Sequence, residues 1–140
     1  MPKLFDTQTG EVFVGEHLVL RKNLTRQAVV NMGFVFYREF NMKTGWVHSA
    51  TGPHLMAGRL ANLALGFKDE NLESVSFAFA DKSITNVEDL HKLQDQVLIQ
   101  ELGVPDRKNE GYITYDFQWG GISSGLDPRG GSCDITIRWR

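Results

Sequence analysis

The chain has 140 residues, 15 Lys and Arg against 17 Asp and Glu, a net charge of -2, and a composition that is 41% apolar and 11% aromatic. Those values exclude a disordered chain and supply one hydrophobic core, so a single α+β domain over residues 1–140 is expected. The balanced charge leaves no electrostatic footprint for nucleic acid or an anionic membrane.

The opening Met1-Pro2-Lys3-Leu4-Phe5-Asp6 lacks the basic segment and apolar run of a signal peptide. No stretch approaches the roughly 20 apolar residues that span a bilayer, so a cytoplasmic location is expected. Between Leu4 and Leu20, Thr9-Gly10 and Gly15 punctuate the apolar groups Val12-Phe13-Val14 and Leu18-Val19-Leu20, which read as two short strands. A short helix follows, capped at Asn23 or Thr25 and stopped at Gly33, with Ala28, Val29 and Met32 on one face. The aromatic and β-branched run Phe34 to Phe40, a Lys43-Thr44-Gly45 turn and Trp46-Val47-His48 form a predicted hairpin.

Residues Ser49 to Pro53 read as a loop. Beyond it Leu63, Leu65 and Phe67 alternate with smaller partners, and Val75, Phe77 and Phe79 do the same after a Lys68-Asp69-Glu70-Asn71 turn, giving a second hairpin. The clearest helix spans about Asn86 to Leu102: Thr85-Asn86-Val87-Glu88 fits a capping box, and Val87, Leu90, Leu93, Val97, Leu98 and Leu102 make a stripe at helical spacing. Gly103 and Pro105 end it. Two last strands show alternation at Ile113, Tyr115, Phe117 and Trp119 and again at Cys133, Ile135, Ile137 and Trp139, joined by a Gly-rich connector containing an Asp127-Pro128-Arg129-Gly130 type I turn. This order predicts an antiparallel sheet with one long and one short helix packed on one face.

Catalytic patterns are hard to find. His17, His48, His54 and His91 form no metal-binding spacing, and the glycines fit neither a phosphate loop nor a dinucleotide fingerprint. The lone Cys133 shares the parity of Ile135 and Ile137 and reads as a small buried hydrophobe rather than a nucleophile. No disulfide, metal or cofactor is expected. Trp119 and Trp139 read as core residues, His91 as the solvent border of the long helix, and Trp46 beside its turn as the most interface-like tryptophan. His48 and His54 flank the predicted loop and are the remaining group that a binding site could use.

The segment Trp119-Gly120-Gly121-Ile122-Ser123-Ser124-Gly125-Leu126-Asp127-Pro128-Arg129-Gly130-Gly131-Ser132-Cys133-Asp134-Ile135-Thr136-Ile137-Arg138-Trp139 resembles the C-terminal hairpin of a group of small uncharacterised bacterial proteins. Thr9-Gly10 with Leu24-Thr25-Arg26, and Gly58 to Phe77, resemble their opening and central hairpin. The chain departs from the pattern at Cys133, and at Trp139 where a tyrosine is expected. The resemblance implies an immunity-like protein that neutralises a toxin by binding it, or a protein carried on a mobile gene cassette, and it carries over no catalytic residue.

The expected partner is accordingly a protein, a cognate toxin first, with a homodimer through an exposed sheet edge as a further expectation. Trp46, His48, His54, Asp127 and Arg129 are the candidate interface residues. The competing expectation is a small ligand held between the sheet and the long helix, or an enzyme whose site is assembled from residues far apart in sequence.

Overall fold

The computed structural model describes residues 3–127 and 129–140. Met1-Pro2 of the opening segment and Pro128 of the anticipated type I turn lie outside the described residues. Strands β1 (Val12–Val14) and β2 (Leu18–Leu20) pair antiparallel around Gly15, whose φ of 63° suits a residue without Cβ. Helix α1 (Arg26–Asn31) is capped by Thr25, whose Oγ1 accepts the Ala28 N–H at 3.0 Å, and Gly33 follows its end at φ 106°. Thr25 rather than Asn23 is therefore the cap.

The remaining strands are β3 (Phe36–Asn41), β4 (Trp46–Met56), β5 (Arg59–Lys68), β6 (Asn71–Phe79), β7 (Arg107–Asn109), β8 (Tyr112–Phe117), β9 (Gly120–Asp127) and β10 (Ser132–Trp139). They form one eight-stranded sheet in the order β3-β4-β5-β6-β10-β9-β8-β7, with every neighbouring pair antiparallel. The β5–β6 hairpin turns on Asp69 and Glu70, both at positive φ, as its polar turn predicts. Helix α2 (Val87–Leu102) packs against β6, β9 and β10. The architecture is α+β, dominated by an antiparallel sheet, with one long and one short helix.

Strand β7 has no counterpart in the sequence reading, and two longer segments differ from theirs. Ser49 to Pro53 is the middle of β4 rather than a loop, paired to β3 on one side and β5 on the other. A register shift between Thr51 and His54, with Gly52 at φ 137°, carries the Gly-Pro pair within the strand. The two buried hydroxyls there are satisfied locally: Ser49 Oγ donates to Glu39 Oε2 at 2.9 Å, and Thr51 Oγ1 is 3.0 Å from His54 Nε2. The supposed Gly-rich connector is likewise a strand. Gly120 to Asp127 form β9, which pairs along its whole length with β10 and along Tyr112–Phe117 with β8. Trp119 consequently lies in the β8–β9 turn.

Helix α2 has its reciprocal cap one residue later than the predicted box. Asn86 Oδ1 accepts the Asp89 N–H at 2.9 Å while its Nδ2 donates to Asp89 Oδ2 at 3.0 Å. Its stripe packs as expected, with Leu98 fully buried and Leu90, Leu93, Val97 and Leu102 against the core. Gln94 is the exception, an amide inside that stripe with no exposed surface. Its Oε1 accepts the Phe79 N–H at 3.0 Å where β6 ends, and its Nε2 is 3.5 Å from Cys133 Sγ. A buried amide that pairs an otherwise orphaned backbone donor avoids a desolvation cost of about 1–3 kcal/mol.

The N-terminal segment is fastened at two places remote in sequence. The Glu101 carboxylate at the end of α2 accepts the Leu4 and Phe5 N–H groups at 2.8 and 3.0 Å. The indole N–H groups of Trp119 and Trp139 donate to the Thr7 and Gly10 carbonyls at 2.8 and 2.9 Å. Trp139 is buried as predicted, whereas Trp119 is half-buried and stacks on Phe117 with ring centroids 4.8 Å apart. Gly10 is required at this junction: its φ is 79°, and a Cβ there would stand 2.5 Å from Trp119 Cε3 and 2.8 Å from Trp139 Nε1. Gly10→Ala is expected to cost about 2 kcal/mol or more through strain and overpacking, read as a lower urea midpoint at unchanged slope. An unchanged midpoint would contradict the clamp.

Candidate functional site

Directly opposed residues in a sheet share a face, so the register sorts the side chains into two sets. Leu63, Leu65, Val75, Phe77, Ile135, Ile137 and Ile122 are opposed to one another and buried. The other parity is different in kind. Ala50, Ala64, Gly66, Ser74, Ser76, Thr136, Ser123 and Gly121 make a floor of small side chains, and larger groups rise from it.

The principal rise is Trp46, which opens β4 opposite Lys68. Its ring stacks on His48 with centroids 5.9 Å apart and planes 8° from parallel, and it lies over Gly66, where a Cβ would meet its Cζ3 at 3.3 Å. Lys68 Nζ approaches the same indole to 5.8 Å and Arg138 Cζ, arriving from β10, to 5.9 Å. Cations within about 6 Å of an indole are held by its quadrupole. Next to His48 across β3–β4 is Phe40, with Arg38 Cζ 5.4 Å from its ring. Farther along this face, an open cleft of about 510 Å³ is lined by Arg107, Thr114, Gly121, Ser123, Thr136 and Arg138. Arg138 thus belongs to both the aromatic cluster and the cleft.

Of the candidates named from sequence, Trp46 and His48 come together in this cluster. His54 does not join them. It is opposed to the buried Ala61 on the other parity and packs on Phe34 with ring centroids 5.0 Å apart. Burial holds its imidazole below the ordinary histidine range. Asp127 ends β9 and Arg129 lies in the turn after it, Asp127 Oδ1 accepts the Arg129 N–H at 3.0 Å, and no hydrogen bond, ion pair or ring contact among the described residues links them to Trp46. Lys68, Arg138, Arg38 and Phe40 were missed in the sequence because only the register brings four strands to one place. The one signal was parity, which sets Arg138 apart from Ile137 and Trp139.

Catalytic chemistry finds little support. Cys133 Sγ is buried beside Gln94 and the Val87 carbonyl, and burial together with nearby carboxylates pushes its thiol up to about 11. At neutral pH it is protonated and a poor nucleophile. His91 Nε2 sits 3.4 Å from Asp95 Oδ1 one helical turn on, at the half-buried border expected for it. No group of three or more His, Cys, Asp or Glu among the described residues could hold a metal ion. A cleft of about 410 Å³ does open where α2 begins beside β6 and β10, but its lining is Phe79, Asp81, Ile84, Leu90, Cys133 and neighbours, with neither His48 nor His54. No helix of the described residues is long and apolar enough to cross a membrane.

Two chemical predictions follow from these environments. Cys133 is expected to resist a thiol reagent in the native protein and to react at the rate of a free thiol once urea unfolds the chain; fast native labelling would contradict its burial. Acid should act in two windows. His54 has a folded pKa below its ordinary 6.5, so the unfolded chain binds more protons, and stability present above 6.5 is lost as the pH falls below it. Glu39, lowered from 4.5 chiefly by its hydrogen bonds from Arg26 and also by Ser49, has the same sign, its contribution being lost below 4.5. Urea midpoints should therefore fall in two steps, with His54→Gln abolishing the first and Glu39→Gln reducing the second, which Asp81, lowered by its hydrogen bonds from Ser83, shares. A single step in the parent protein would refute the assignment.

Neither a family model nor a curated protein matches this chain. Among solved structures, a chain of the one described as "Rhs1-CT in complex with cognate immunity protein RhsI1" is similar to it at 15% identity and a TM-score of 0.62, over 100% of this chain and 88% of that one. At that identity the likeness is one of fold.

Proposed function

We propose that this protein is an immunity-like binder that neutralises a toxin by direct, non-catalytic association. The observation that supports the reading is the fold match, over 100% of this chain, to a chain from the structure of Rhs1-CT with its cognate immunity protein. Of the two components there, we take the immunity protein as the counterpart, because the sheet presents a broad face of small side chains with an aromatic and cationic cluster on it. In this reading the chain is one domain working in the bacterial cytoplasm. The N-terminal hairpin and both helices cover the apolar face of the sheet, and the opposite face is left for the partner.

The competing reading is a small-ligand-binding protein or enzyme on a mobile cassette, resting on the abundant aromatic residues, the His48/His54 segment and a pocket between the sheet and the long helix. His48 and His54 lie on opposite parities of β4, so the histidine part of that support falls away, while the cleft beside the start of α2 stands without them.

The test is rescue and capture. The product of the gene adjacent to this one, expressed alone, should stop growth of its host, and co-expression of this protein should restore it, with the two recovered as a stoichiometric complex. Growth arrest that this protein does not relieve, with no complex, would overturn the proposal.

A further inference from the structure

The two edges of the eight-stranded sheet are unlike. At one edge β7 is three residues long and reads Arg-Lys-Asn, both features that discourage another strand from pairing there. At the other edge β3 has six residues, five of them exposed. Four of the nine exposed large apolar or aromatic side chains among the described residues, Val35, Tyr37, Phe40 and Met42, fall in or beside it, at exposures of 54% to 75%. Arg38, Glu39 and a register shift between Phe36 and Arg38 interrupt this edge, but its length and its exposed aromatic residues still leave unpaired backbone groups on which a strand can be added.

The chemistry beside that edge names what it accepts. Arg38, Lys68 and Arg138 converge on the Trp46–His48–Phe40 cluster, and none of them forms an ion pair among the described residues. Of the two cations of β7, Arg107 is engaged with Asp116 at 3.0 Å. Unneutralised cations on a chain with a net charge of -2 mark a local positive site rather than a general basic character. Three cations around aromatic rings complement a short acidic segment, and they fall short of the extended basic track that a phosphate backbone requires.

We propose that β3 and the adjoining Arg38–Phe40–Trp46–His48–Lys68–Arg138 patch are the docking surface for an acidic, extended segment of a partner protein, which adds a strand at β3 and turns its carboxylates onto the patch. The partner's being a toxin rests on the function proposed above; the acidic character of the docking segment rests on this surface alone.

The test has two arms, with the full chain in both. In the first, a fluorescently labelled peptide alternating glutamate and valine is titrated against the protein, with an alternating lysine–valine peptide and a single-stranded RNA oligonucleotide as competing probes. The acidic peptide should bind with salt-sensitive affinity and shift the Trp46 indole and β3 amide resonances. Arg38→Glu and Arg138→Glu, exposed positions whose substitution leaves the core alone, should each weaken it about tenfold, and the Lys variants should retain binding. No binding, preference for RNA or for the cationic peptide, or shifts confined to other strands would overturn the surface. So would loss of binding in the charge variants accompanied by unfolding, judged by circular dichroism, if Phe40→Ser, which removes only an exposed ring, left affinity unchanged.

The second arm repeats the charge variants with the adjacent gene product. A parent protein that binds that product equally well after both reversals overturns the surface while the immunity reading stands. A parent protein that binds the acidic peptide but neither binds nor protects against that product overturns the immunity reading while the surface stands. Light scattering that shows a dimer dispersed by Phe40→Ser assigns the edge to a second copy and overturns the proposal.

Discussion

Everything in this fold depends on one ladder, the antiparallel pairing of Val75–Phe77 in β6 with Ile135–Ile137 in β10. Without it there are two separate meanders, β3 to β6 and β7 to β10, each with an apolar face too small to keep water away. With it, isoleucines and phenylalanines from both meanders become neighbours on one surface, and Phe5, α1 and α2 supply the rest of the core. The pairing also fixes the opposite surface, because it is what carries Arg138 to within reach of Trp46.

Much of this was legible in the residues. Period-two alternation located β5, β6, β8 and β10, the Asp69-Glu70 turn gave a hairpin, and the apolar stripe gave α2 nearly to the residue, with its cap one residue beyond the expected box. Where the reading failed, tertiary pairing overrode local preference. Gly, Ser and Pro argue against a strand in isolation, yet β9 and the middle of β4 each have partners on both sides, and two ladders outweigh poor intrinsic propensity. Glycine and serine are moreover useful in β9, because Gly120 lies where a Cβ would fall 2.1 Å from the Arg138 carbonyl oxygen.

The candidate site was half legible for the same reason. Trp46 and His48 are two apart on one strand, so their common face follows from the pleat alone. Lys68, Arg138 and Arg38 come from three other strands, and their convergence requires the register, which no local pattern encodes. His54 was misplaced because the irregularity at Gly52-Pro53 reverses the simple count of alternation along β4 and turns the imidazole toward Phe34. Its placement makes it part of the stability of the protein rather than of its surface.

The two indole bonds to Thr7 and Gly10 span 112 and 129 residues of chain. The first waits for the β8–β9 turn and the second for the last strand, and strands β6 and β10, which also meet late, lie on either side of α2 in sequence. The order of assembly is therefore constrained: the β3–β6 meander can form while the chain is being made and meet the N-terminal hairpin through β4, whereas the indole bonds that fasten the N-terminal segment must wait for the later strands. High separation between contacting residues slows folding, and during that interval the aromatic edge of β3 and the unpaired edge of β6 are both open to other chains. A binding partner that seals β3 would then protect the nascent sheet as well as be held by it.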